Sequence, residues 1–315
     1  VTALLELDGV RKVYKSDLFK KQQVAVDDLS FAFPAGGCIG LIGPNGAGKT
    51  TTLRLILGLI RPDAGRILFD GRPLDTKTRR GIGYMPEVNK LPGALTVEEI
   101  LRHQLRITHG SAPAATVDAK LSQVGLGEHR KKRLKQLSKG MARRVAWAQA
   151  TIHEPRFLIL DEPASGLDPV GRRDQLAWIA AEKQRGATIL LCTHELAQVR
   201  TLCDDLLILN RGRPVLSTLG KSGGPEALVW PWAYDIHVSG DGEDGLRKLG
   251  EQRRLPPWQG FRQKGFLAVL GFAEYAPAAA WLSALIQSER AVLRFGEHTG
   301  IPDDELLSYF EASKP

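Results

Sequence analysis

The segment Gly43-Pro44-Asn45-Gly46-Ala47-Gly48-Lys49-Thr50 holds the most specific chemistry in this sequence. Its glycines allow a loop to close around an anion with successive backbone N–H groups pointing inward. The apolar run Cys38–Ile42 leads into it and a helical stretch from Lys49 to about Gly58 leaves it, so a helix N-terminus adds partial positive charge. In that setting Gly43, Pro44, Asn45, Gly46, Ala47 and Gly48 are expected to wrap a triphosphate. Lys49 is expected to reach the β- and γ-phosphates and the Thr50 hydroxyl, with Thr51 next to it, to face Mg2+.

A second constellation supplies the acids. Phe157-Leu158-Ile159-Leu160-Asp161-Glu162 is an apolar run ending in two carboxylates. A buried strand that delivers carboxylates at its C-terminal end places them at the ligand-binding edge of a parallel sheet. Asp161 is expected to hold Mg2+ through water, and Glu162 to orient and polarise an attacking water as general base. An acid pair in isolation is more often a helix cap or a surface feature; the phosphate loop gives this one its meaning.

These motifs need a sheet to carry them. Through the first two-thirds of the chain, short apolar runs alternate with helical stretches, the pattern of an α/β fold. Leu4–Asp8, Val24–Phe33, Cys38–Ile42, Phe157–Leu160, Thr188–Cys192 and Leu206–Leu209 read as strands, the last closing the domain. Val170–Arg185 reads as an amphipathic helix, and Thr96–Ala150 as a helical insertion without a strand. Gly220-Lys221-Ser222-Gly223-Gly224-Pro225 is a linker by composition. Beyond it Tyr234–Val238, Phe261–Leu270 and Ala291–Phe295 read as strands and Glu243–Leu249, Glu274–Ser288 and Asp303–Glu311 as helices, in an order that suggests a ferredoxin-like layer. Trp230, Trp232, Trp258 and Trp281 supply apolar area for a core there.

Composition bounds the rest. The 315 residues are 43% hydrophobic and 25% charged, with a net charge of +8 that favours anionic partners without choosing among them. No apolar run is long enough for a membrane-spanning helix, and Val1–Asp8 lacks the basic-then-apolar layout of a signal peptide. Cys38, Cys192 and Cys203 have no metal-ligand spacing and two lie in apolar runs, as expected of a reduced, cytoplasmic protein. The basic run Arg130-Lys131-Lys132-Arg133 reads as a solvated face.

Over residues 1–218 the sequence resembles the ATP-binding cassette family. Beyond the two phosphate motifs, Leu137-Ser138-Lys139-Gly140-Met141 with Arg144 downstream matches the family's signature, Ser165-Gly166-Leu167-Asp168 its D-loop, and His194 its switch histidine. Tyr14 stands where the family stacks an aromatic on adenine, and Glu87 where it usually has a glutamine, beside Mg2+. The resemblance implies a P-loop NTPase core with an antiparallel β-subdomain and a helical subdomain at about 96–150, followed by a small C-terminal α+β domain over 226–315. It further implies Mg2+-dependent ATP hydrolysis in which Ser138, Gly140 and Asp168 contact ATP, His194 and Glu162 act on its terminal phosphate, and Thr50, Glu87 and Asp161 surround the metal. Lys139 replaces a glycine and Met141 a glutamine, choices that resemble the ATPases serving a separate exporter-type subunit.

One phosphate loop and one signature per chain imply a head-to-tail homodimer with two ATP between the halves. The partner so implied is an integral membrane permease subunit, met on the inner face of the cell membrane through the segment from Glu87 to Leu95 and the helical insertion. The alternative is a soluble cassette ATPase acting on nucleic acid or ribosomes, against which stand the lack of a tandem cassette and of a long heptad insertion. A module that holds ATP without turnover fits poorly with intact Lys49, Asp161, Glu162 and His194. The C-terminal domain is expected to be regulatory or dimer-stabilising, since it has no acid, histidine or cysteine cluster with catalytic spacing.

Overall fold

The computed structural model describes residues 3–15, 22–88, 91–193, 196–219, 234–240, 242–264, 267–288 and 290–297. The chain divides into two compact units at 224/225.

Among the described residues the first unit contains two sheets. β1 (Ala3–Lys15) and β2 (Gln22–Pro34) pair antiparallel, and β4 (Ala64–Phe69) and β5 (Arg72–Pro73) extend the sheet in the order β2-β1-β4-β5. Along β2 the side chains of Val26, Leu29 and Phe33 are fully buried while their neighbours are not, the mark of a sheet with one face on a core.

The second sheet holds β3 (Cys38–Ile42), β6 (Ile82–Met85), β7 (Phe157–Asp161), β8 (Thr188–Cys192), β9 (Asp205–Asn210) and β10 (Arg213–Ser217), in the order β10-β9-β3-β8-β7-β6. All its neighbours are parallel except the β9–β10 pair. Every residue of β3, β7 and β8 is buried, which explains their unbroken apolar sequences. Leu206–Leu209 therefore does not close the domain. Arg211 and Gly212, both at positive φ (49° and 80°), make a two-residue turn into β10, a hairpin geometry whose twist suits paired strands. A single apolar cluster joins the two sheets through Leu5, Leu7, Phe33, Leu41, Phe69 and Phe157.

The stretch expected to be helical contains α3 (Val97–His109), α4 (Ala114–Gln123) and α5 (Lys139–Thr151), with two short 3-10 turns between α4 and α5. Thr96 and Glu99 cap α3 reciprocally, and Gly110 ends it in the left-handed region at φ 77°. Part of the basic run is not a solvated face: Arg130 joins Arg102 on Glu98, each at 2.8 Å, and reaches Asp118 at 3.0 Å. The remaining helices of this unit are α1 (Lys49–Ile56), α2 (Thr76–Arg79), α6 (Pro169–Gln184) and α7 (Leu196–Leu202). Cys38, Cys192 and Cys203 are free and buried.

The second unit runs β11 (Tyr234–Ser239), α8 (Glu243–Arg253), β12 (Gly260–Lys264), β13 (Leu267–Phe272), α9 (Tyr275–Gln287), β14 (Ala291–Glu297). Its antiparallel sheet has the order β12-β13-β11-β14, the split βαβ arrangement. Phe261–Leu270, read from sequence as one strand, is two: Lys264 pairs with Leu267, so the chain reverses between them. Ile236, Val238, Ala268, Leu270 and Phe272 meet Leu246 and Leu249 of α8 and Trp281 and Leu285 of α9 in one buried cluster, so both helices cover the same face. The linker Gly220–Pro225, Trp230, Trp232 and the helix expected at Asp303–Glu311 lie outside the described residues. Among the described residues no helix is long and apolar enough to cross a membrane.

Candidate functional site

The phosphate loop sits between the C-terminal end of β3 and α1, with its shape set by close backbone packing. A β-carbon on Gly43 would collide with the Leu209 carbonyl, and one on Gly48 (φ 100°) with the Ala25 carbonyl. Two main-chain bonds tie the loop down: Gly212 N–H donates to the Ala47 carbonyl and Asp27 N–H to the Gly212 carbonyl, both at 2.9 Å. Gly48 caps α1 without a side chain, leaving the first-turn N–H groups of that helix to a ligand. Lys49 Nζ donates to the carbonyls of Gly43 and, at 3.1 Å, Pro44, so its ammonium lies over the loop. Asn45, Gly46 and Thr50 are exposed, Pro44 and Thr51 half-buried and Ala47 buried.

Parallel strands carry the other groups to the same edge of the sheet. In the β7–β8–β3 register, Cys192 stands between Asp161 and Leu41. Asp161 is 7% exposed; burial raises its carboxyl above the usual range and the charges of Glu87 and Glu162 add to that, while the Cys192 thiol and Lys49 oppose it. A cation among these acids would relieve the strain, and the donor set of carboxylates plus the exposed Thr50 hydroxyl consists of the hard oxygens that suit Mg2+. Glu162, 9% exposed, has φ +48°, a conformation that non-glycine residues seldom adopt. Its N–H donates to the Cys192 carbonyl at 2.8 Å, and Thr193 Oγ1 donates to its carboxylate at 3.2 Å. Tyr84, half-buried on β6, has its hydroxyl pushed up to about 12 by burial and then by the Asp161 charge.

Ser138 caps α5, its Oγ accepting from Met141 N–H at 3.3 Å, and is exposed. Gly140 is exposed as well, and a β-carbon there would meet none of the described residues within 4 Å. Asp168 caps α6 by accepting from Gly171 N–H at 2.7 Å. Ser138, Gly140, Arg144, Asp168, Gln175 and Trp178 border a cleft of about 360 Å3, where the Arg144 guanidinium bonds Asp174 at 2.7 Å and lies 5.4 Å from the Trp178 ring centre. Tyr14, 39% exposed on β1, pairs with Gln23, two residues before the Ala25 that touches the phosphate loop. Glu87 is exposed just after β6. His194 lies outside the described residues.

Sequence reading passed over Arg143, the group that joins these motifs. It is 6% exposed on α5 and spends its guanidinium on main-chain carbonyls: Nη1 donates to Pro86 at 2.9 Å and Glu87 at 2.6 Å, Nε to Pro163 at 3.1 Å, and Nη2 to Glu162. The signal was its spacing. Arg143, Trp147 and Ala150 recur at helical intervals on the buried side of α5, a place where an arginine needs partners.

A glycine loop at a helix N-terminus and a buried acid pair two strands away on a parallel sheet define a P-loop nucleoside triphosphatase. The family profile described as ABC transporter matches residues 26–165. An ABC transporter ATP-binding protein of Synechocystis is 37% identical over 78% of this chain and 70% of its own. A Nod factor export ATP-binding protein I of Mesorhizobium japonicum is 38% identical over 72% of this chain and 65% of its own. A solved ATP-binding subunit of an ABC transporter superposes with a TM-score of 0.62 at 34% identity, covering 68% of this chain and 89% of that one. The chain belongs to the ATP-binding cassette family of transporter ATPases: it is an ATP-binding, ATP-hydrolysing subunit of a transporter.

Proposed function

We propose that two copies of this chain close head to tail around two Mg-ATP and drive export through integral membrane subunits encoded separately. The observation that carries the dimer is Gly140. Nothing among the described residues of its own chain requires a glycine there, yet it stands exposed beside Ser138 at the start of α5. A bare backbone and a free hydroxyl at that point suit the γ-phosphate bound to a second copy. Within each composite site Lys49 and the loop Gly43–Gly48 hold the phosphates with Thr51, and Thr50, Asp161 and Glu87 surround Mg2+. Glu162 orients the water, His194 contacts the γ-phosphate, Asp168 belongs to the shared interface and Tyr14 stacks on adenine. The bound metal would supply charge neutralisation at the β- and γ-phosphates.

The membrane partner is supported by the family and, for direction, by the relative named for export. The docking segment we assign begins at Glu87 and runs to Leu95; Val88 in it is 67% exposed. The protein then works at the cytoplasmic face of the membrane. Expressed with its neighbouring membrane-protein genes it should sediment with membranes, and charge reversal at Glu87 should release it. Quantitative co-purification with ribosomes or nucleic acid at moderate salt would instead favour the soluble-ATPase reading, because such binding is salt-sensitive. The second unit, with its own core, is assigned to dimer stabilisation or regulation. A chain ending near Gly223 should keep ATP binding but show weaker dimerisation or altered basal turnover; equal dimerisation, turnover and assembly with the membrane subunit would remove that role.

A further inference from the structure

Arg143 is buried without a carboxylate on its guanidinium among the bonds it makes. Four of its five N–H donors are spent on peptide carbonyls from two separate segments: Pro86 and Glu87 after β6, and Glu162 and Pro163 after β7. Burial pushes its pKa down, and the charges of Asp161, Glu87 and Glu162, in that order, hold it up. An arginine in this position is therefore electrostatically tied to the acids of the site while bonding only to their backbones.

The residue that most needs such a hold is Glu162. A left-handed conformation in a residue with a β-carbon is unfavourable and persists only where its surroundings over-determine it. Glu162 N–H is fixed by Cys192 and its carboxylate by Thr193, on β8 and just past it. Its carbonyl is fixed by Ser165 N–H at 3.1 Å, within the same loop, and by Arg143, the one of these groups that comes from the signature helix. We propose that Arg143 is a positioning residue for hydrolysis. Through one planar group it locks the peptide of Glu162 to the peptides of Pro86 and Glu87, so that the water-orienting carboxylate and the segment assigned to the membrane partner shift as a single body with α5. The proposal rests on the reading of Glu162 as the base. Lysine cannot replace the arginine, since a single ammonium cannot reach four carbonyls on two segments in a fixed plane.

The test uses the full chain with Arg143→Lys, Arg143→Gln and Arg143→Ala, and Glu162→Gln measured beside them. In both the Lys and Gln variants kcat is expected to fall by roughly 10- to 100-fold, the scale of a misplacement of about 1 Å. KM for ATP and the affinity for a fluorescent ATP analogue should stay within about twofold of wild type. Millimolar guanidinium should restore part of the lost kcat to Arg143→Ala and none to Glu162→Gln. Wild-type kcat in the Arg143 variants with Glu162→Gln inactive would overturn the positioning role alone. A rise of KM and a fall of nucleotide affinity and melting temperature in step with the fall of kcat, with no guanidinium rescue, would reduce Arg143 to a structural residue and equally overturn it. Near-normal turnover by Glu162→Gln would remove the reading beneath the proposal instead. If Arg143→Gln does not fold, Arg143→Lys, which keeps the charge and most of the volume, carries the kinetic comparison.

Discussion

The side chain of Lys139 lies directly against Gly166, so that a β-carbon on the glycine would run into Nζ and stand 2.9 Å from Cε. Lys139 is one of the two residues that depart from the signature, and Gly166 belongs to the D-loop at φ +67°. The departure thus adds a contact between two motifs of one chain. We predict that Gly166→Ala destabilises the protein by roughly 1–2 kcal/mol, chiefly through its left-handed backbone. In a Lys139→Gly background the cost should shrink by about 0.5 kcal/mol, a coupling expected only of residues in contact. Additive costs in denaturant unfolding would show that the two motifs are energetically independent.

Turnover should separate the two ends of the phosphate site. Glu162→Gln is expected to lower ATP hydrolysis by roughly 10²–10⁴-fold, the worth of a positioned base, while leaving nucleotide binding intact. Lys49→Ala should weaken binding itself, because its ammonium lies over the loop. Phosphate release and equilibrium binding of a labelled nucleotide, measured on the same preparations, distinguish these outcomes. An active Glu162→Gln would reject its role.

Shared sites make a mixing prediction. Ser138→Arg and Lys49→Ala chains should each be nearly inactive alone. Mixed, they should regain part of the activity, since one composite site per heterodimer then has an intact loop and an intact signature. If heterodimers form, as seen by differential tagging, and no activity returns, Ser138 does not act across the interface.

His153 predicts the acid limb of stability. It is 4% exposed, and burial, opposed by a bond to the Ile82 carbonyl and aided by cationic neighbours, pushes its pKa down to about 4 from 6.5. The folded state therefore binds fewer protons than the unfolded chain between those values. Its contribution is complete above pH 6.5 and is lost as pH falls towards 4, amounting to roughly 3 kcal/mol at 1.36 kcal/mol per unit. His153→Gln should flatten the unfolding profile over that window by about this amount. An unchanged slope would mean that other groups set the acid limit.

How much of this was legible in the sequence follows from burial. β3, β7 and β8 are buried on both faces, so their apolar runs announced them to the residue or nearly so. β4 went unread because it begins with exposed Ala64, Gly65 and Arg66, and β6 because four residues ending before Pro86 are too few for a period. β10 follows a turn whose positive-φ arginine gives no composition cue. In the site, the phosphate loop and the acid pair are local in sequence and could be read. The hold of Arg143 on Glu162 is made to carbonyls, which every residue has, so no residue pattern encodes its partners. What the sequence did offer was the misplaced charge: an arginine on the buried face of α5, between Ala142 and Trp147, next to the Arg144 that drew attention instead.

The phosphate loop has a biosynthetic consequence. Its curvature depends on Gly212 N–H bonding the Ala47 carbonyl and on the close approach of Ala25 and Leu209, contributions from the beginning and the end of the cassette. The loop itself is translated early, but the turn that completes it emerges only after the whole helical insertion and β7, β8 and β9. Nucleotide competence is then a late event of synthesis, and the nascent cassette passes most of its length on the ribosome unable to engage ATP. Chains stalled at increasing lengths should acquire binding of a labelled nucleotide in one step, once residues past Gly212 have left the exit tunnel, and binding by a chain stalled before that point would show that the loop shapes itself.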